Sequence, residues 1–179
     1  MTSPTATATP PAGASSIPSP RQQFIDALTR EHEKTNRVVR AFPAEQSELK
    51  PHARSNSARQ IVWTFAVEEI LILKALKNEL KIGGGFPPAP ERWDDVTGAF
   101  ERSQADVMAA LESASDDDFS GTVQFPTGPQ TIGDIPKMEF FWFILCDQIH
   151  HRGQLSVYLR LAGGKVPSIY GPSADEPWF

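Results

Sequence analysis

Apolar residues recur at helical spacing in four stretches of the chain. Ser19-Pro20-Arg21-Gln22 supplies an N-cap, a proline at the first helical position and a glutamine that reaches back. Phe24, Leu28, Thr35, Val38, Val39 and Phe42 then repeat every three or four residues until Pro43 closes the first helix. A capping box, Ser57-Ala-Arg-Gln60, opens the second, which runs through Ile61, Trp63, Phe65, Ala66, Ile70, Leu73, Leu76 and Leu80 to the stop at Gly83-Gly84-Gly85. The third spans about Asp94 to Ser115, with Val96, Phe100, Val107, Met108 and Leu111 on its apolar stripe. The fourth starts near Pro136 with Asp134 as its cap and ends at Gly163-Gly164; a loop or small hairpin between Ser120 and Ile135 leads into it. Four amphipathic helices and almost no strand predict an all-α four-helix bundle. The polar linker of residues 44–57 is long for neighbouring antiparallel helices, which need about two to eight residues, so a crossover connection is expected.

The ends differ. Residues 1–18 are Ser, Thr, Ala and Pro with hardly a bulky apolar group, which predicts a disordered tail and leaves 19–179 as the bundle domain. Residues 165–179 carry Val166, Ile169, Tyr170, Trp178 and Phe179, which predicts a C-terminal tail packed over the bundle.

The fourth helix is polar where its periodicity calls for apolar residues. Steps of three and four give one face of Phe140, Ile144, Asp147, His151, Leu155, Tyr158 and Ala162. Asp147 and His151 stand one turn apart on that face, and burying them costs several kcal/mol unless they pair or bind a metal. Their spacing suits two ligands of a divalent ion, short of the three that an open catalytic site takes. Periodicity alone favours an internal hydrogen-bonded pair that fixes helix register, with no metal. Around them, Cys146 is expected as a buried small hydrophobe, Gly153 as a point of close helix approach, and Arg152 and Gln154 as ties to a neighbour or to the C-terminal tail. His32, beside the first helix's stripe, is expected at a boundary with a hydrogen-bond partner.

Composition narrows the function classes. The 179 residues carry a formal net charge of −5, which argues against the basic surface that drives nucleic-acid binding. A single cysteine excludes an intramolecular disulfide or a cysteine-ligated zinc, and no apolar run is long enough to span a bilayer; a cytoplasmic protein with no nucleic-acid or membrane partner is expected. The nearly all-round apolar character of Phe140 to Ile149 points to a homodimer.

The run DQIHHRGQLSVYLRLAGGKVPSIYGPSADE resembles the DinB/YfiT-like superfamily, with weaker similarity through SARQIVWTFAVEE and HEKTNRVVRAFP; together these cover most of residues 20–176. The resemblance implies a four-helix bundle, commonly dimeric, with a three-histidine site for nickel, zinc or a similar ion, and in some relatives thiol-dependent transfer or isomerisation. Of those histidines only His151 is kept: the position after the Trp of the second helix is Thr64, and the one a turn before His151 is Asp147. Either the metal is lost and a polar pocket remains, or Glu68, one turn after Thr64, completes a set with Asp147 and His151, with Glu69 and His32 behind it. Thr64, His32 and Tyr158 are expected to line the pocket. The functional expectations are a metal-dependent thiol transferase or hydrolase taking a small molecule or thiol, or a non-catalytic binding or stress-response module that has lost its metal.

Overall fold

The computed structural model describes residues 17–83 and 85–179; residues 1–16 of the expected tail lie outside them. Four long helices form: α1 (Pro20–Ala41), α2 (Ala58–Leu76), α3 (Trp93–Ser113) and α4 (Lys137–Leu161). The local signals act as read at two of the starts. The Ser19 hydroxyl accepts from the Gln22 amide, and Ser57 and Gln60 make both halves of the capping box. α2 ends four residues before Leu80, because Asn78 takes a left-handed conformation, with φ of 58°, and turns the chain.

The all-α expectation is corrected by a hairpin. Strands β1 (Thr122–Gly128) and β2 (Thr131–Pro136) pair antiparallel between α3 and α4. Asp134 therefore sits in a strand opposite Gln124, and α4 has no side-chain cap. The hairpin lies against the start of α4, where Phe125 packs on Phe140 with ring centroids 5.0 Å apart and on Phe143 at 5.8 Å.

The core comes in two halves. Phe24, Leu28, Ile72, Leu111, Phe140, Phe141 and Ile144 belong to one cluster, and Val38, Phe65, Val96, Phe100, Leu155 and Leu159 to the other. Between them every helix turns a buried polar pair inward: His32 and Thr35 from α1, Glu68 and Glu69 from α2, Ser103 and Gln104 from α3, Gln148 and Arg152 from α4. A polar layer thus crosses the bundle at mid-height.

Several expectations for α4 change with its true orientation. Its buried line passes through Phe141, Leu145, Gln148, Arg152, Leu155 and Leu159, leaving Asp147 and His151 at the edge of that face. Cys146 is exposed rather than buried, and a Cβ at Gly153 would meet nothing within 4 Å, so no helix approaches it. The expected homodimer is not supported: Phe140, Phe141, Ile144 and Leu145 are buried within this chain, so most of the apolar residues that suggested a second copy already have partners, and only Trp142 and Phe143, 39% and 50% exposed, face outward as large apolar groups of that stretch.

The C-terminal segment does dock, through charge more than apolar area. Arg152, 1% exposed, bonds the Glu31 carboxylate at 2.7 Å, Thr35 at 3.3 Å and the Tyr170 hydroxyl at 2.5 Å. That hydroxyl donates in turn to Glu31 at 2.6 Å, and the Tyr170 ring lies under both Lys34 and Arg152. Arg37 holds Glu176 and Arg160 holds Asp175, while Val166 and Ile169 pack on the second cluster. Trp178 and Phe179 stay exposed.

Arg152→Ala should lower the unfolding free energy in urea by about 2–3 kcal/mol, since it removes the buried guanidinium's bonds to Glu31, Thr35 and Tyr170 while Lys34 still pairs with Glu31 at 2.9 Å. Tyr170→Phe, which keeps the Arg152–Glu31 ion pair, should cost about 1 kcal/mol. Equal effects of the two changes would contradict this account.

Candidate metal centre

α2 and α4 face each other at the polar layer, and their facing turns bring three ligand types together. One ligand atom each from Glu68, Asp147 and His151 lies within 4.8 Å of the others. His151 Nδ1 is 3.2 Å from Glu68 Oε1 and 3.8 Å from Asp147 Oδ1. Burial is graded across the set: the Glu68 side chain is 4% exposed, His151 19% and Asp147 40%, so the group opens to solvent on the Asp147 side.

The electrostatics fit a cation. Glu68 Oε2 is buried and has no hydrogen-bond partner. A buried carboxylate oxygen without a donor is costly. Removal from water pushes the Glu68 carboxyl up to about 8, with Asp147 adding to the rise and His151 opposing it. His151 is itself raised, chiefly by its hydrogen bond to Glu68, against the opposing effect of burial. Two carboxylates and an imidazole suit borderline divalent ions, and the two negative charges would leave the site neutral around one such ion.

The remaining sequence candidates are placed elsewhere. Glu69 points away from the trio, accepting from Gln148 Nε2 at 2.8 Å and meeting His32 Nε2 at 2.7 Å. That pairing accounts for His32, which lies on the α1 side against a cleft with Asn36 and Gln104. Thr64 donates to the Gln60 carbonyl and lines a groove of about 350 Å³ with Asn56, Trp63, Val67 and the Phe86–Ala89 loop, one turn from Glu68. Tyr158 is buried in the second cluster, its hydroxyl on the Asn56 carbonyl. The structure does not bring Thr64, His32 and Tyr158 into one pocket. Gln148 was missed as a site neighbour; its place one position after Asp147 on a helix facing two glutamates was the available signal.

Glu68 stands above its ordinary 4.5 and His151 above its ordinary 6.5, so each favours the fold when protonated. Their contribution is fully present in acid and is withdrawn as pH rises through about 8, where Glu68 ionises. The metal-free protein should therefore lose stability between roughly pH 5 and pH 8.5, read as a falling urea midpoint. Glu68→Gln should flatten that fall, and an unchanged slope would show that Glu68 is not its source.

Comparison with known proteins agrees with the fold and corrects one expectation. The chain is 45% identical over 154 residues to the uncharacterized protein YrdA of Bacillus subtilis strain 168, covering 86% of this chain and 89% of that one. A DinB-like protein from Bacillus cereus ATCC 10987 superposes with a TM-score of 0.69 at 21% identity, covering 83% of this chain and 97% of the other. The colibactin self-resistance protein ClbS, crystallised in complex with a dsDNA, superposes with a TM-score of 0.56 at 14% identity, covering 82% and 98%. That complex overturns the expectation of no nucleic-acid partner, because a protein of this fold has been crystallised with DNA. Among the described residues no helix is long and apolar enough to cross a membrane. The DinB family model matches residues 17–178, nearly the whole length, and the chain belongs to the DinB family.

Proposed function

We propose that this protein binds one divalent metal ion, nickel or zinc, through Glu68, Asp147 and His151, and uses it in thiol transfer or hydrolysis on a small molecule. The observation that carries the reading is the buried, unpartnered Glu68 Oε2 beside two further ligand atoms. A metal held there would act as a Lewis acid, lowering the pKa of a bound water or thiol. Glu68 and Asp147 supply the compensating charge. His151 supplies a neutral nitrogen once its proton leaves. Glu69, held by His32 and Gln148, keeps the neighbouring turn of α2 fixed and so holds Glu68 toward α4. The half-exposed Asp147 side is the entrance, and the groove of Trp63 and Thr64, one turn from Glu68 along α2, would receive the substrate.

A second reading has its own support. His151 and Glu68 already hydrogen-bond, so the pair can share a proton as an internal structural element of a non-catalytic binding module.

Elemental analysis after loading with zinc or nickel separates the two. The first reading expects one equivalent of metal, lost in His151→Ala and Glu68→Gln, with Asp147→Asn weakening affinity. Metal at 100-fold above its Kd should also raise the unfolding free energy by about 2.7 kcal/mol. No bound metal under any loading sinks it and favours the structural pair, for which replacing Glu68 and His151 together by apolar residues should be neutral or stabilising.

A further inference from the structure

The end of α2 and the hairpin border a cavity of about 460 Å³ that shares no residue with the Glu68, Asp147 and His151 trio and one, Phe86, with the groove beside Thr64. Its walls are Leu71 and Leu80 from the α2 side, Ile82 and Phe86 from the following loop, and Phe125 and Pro126 from β1. Ile82 is 37% exposed and Phe86 47%, large apolar surfaces left to water around a hollow of the size that small molecules occupy, about 300–1,000 Å³. Gly83 and Gly85 both take positive φ, 99° and 62°, a conformation that residues with a Cβ rarely adopt.

The charges on the rim decide the class of occupant. Lys74 and Lys81 line the cavity with exposed side chains, and neither makes an ion pair or side-chain hydrogen bond among the described residues. Glu79 is the one carboxylate on the rim, so its net charge is positive on a chain whose total is −5. An apolar floor with surplus cations at its edge matches a ligand with an apolar body and one anionic end. A neutral apolar ligand would leave the lysines unused, and a cationic one would meet them unfavourably.

We infer that this cavity binds an amphipathic monoanion: an apolar chain or ring system ending in a carboxylate or sulfonate. Its body lies against Leu80, Phe86 and Phe125, and its anionic end lies between Lys74 and Lys81.

The test uses the full-length chain and dodecanoate below its micellar concentration, followed by calorimetry and by displacement of anilinonaphthalene sulfonate fluorescence. Saturable binding at one equivalent is expected. The double change Lys74→Glu with Lys81→Glu should weaken it about tenfold, and Ile82→Asp or Phe86→Asp, on exposed side chains, should abolish it without moving the melting temperature. Dodecyltrimethylammonium should bind more weakly than dodecanoate and should gain from the charge reversal. No saturable binding, binding unchanged in these variants, or equal affinity for the cationic and anionic chains would overturn the inference. So would binding to anionic vesicles with none to free dodecanoate, which would assign the patch to a membrane surface.

Discussion

Charge buried at the middle of a helical bundle has to be partnered inside the bundle, and here that requirement sets how the four helices face one another. Apolar clusters tolerate adjustment, because a leucine displaced by part of a turn finds other carbon to touch. The polar layer does not. Moving α4 by one turn would carry Gln148 and Arg152 into the apolar halves and take one donor each from Glu69 and Glu31, leaving them His32 and Lys34, at a cost of several kcal/mol per buried polar group left unpaired. The layer therefore works as a register mark between two halves of core that are individually unspecific.

Within that layer the groups are satisfied to different degrees. Arg152 is bound from three sides by Glu31, Thr35 and Tyr170, and Glu69 holds both His32 and Gln148 through one oxygen. Glu68 has the imidazole of His151 and a competing carboxylate in Asp147, and like Glu69 it keeps a buried second oxygen with no partner. It is also the buried member of the one group of three ligand-type side chains found among the described residues. Both neighbouring glutamates leave one buried oxygen without a partner, and what sets Glu68 apart is the two further ligand-type side chains that stand beside it.

Much of the architecture was legible because it rests on local rules. The Ser19 and Ser57 caps and the stripes of α1 and α3 follow from spacing and capping chemistry alone. The hairpin was weaker in the sequence: its two strands are six and seven residues long, broken by Pro126 and Gly133, and their alternation is poor because most of their residues face water. The orientation of α4 was misread for a definite reason. Steps of three and four from Ile144 reach Asp147 as readily as Gln148, and nothing in the sequence says that an arginine is the residue pointing inward. Only tertiary partners decide that, since Arg152 is buried because Glu31 and Tyr170, more than a hundred residues before it and eighteen after it, are there to receive it. Glu68 was within reach as a candidate ligand because it lies one turn from a family position; the pairing of Glu69 with His32 was not, because it depends on which way two adjacent glutamates point.

The Glu31–Arg152–Tyr170 knot also bears on the order of assembly. It joins residues 139 apart in the chain, so its loop-closure entropy can be met only after α1 and α4 have already come together. Tail bonds made after that docking add to the native state rather than to the contacts that bring the helices together. Interactions of that kind leave the rate of folding nearly unchanged and act on the rate of escape, so the C-terminal strap governs how long the native bundle persists more than how fast it forms.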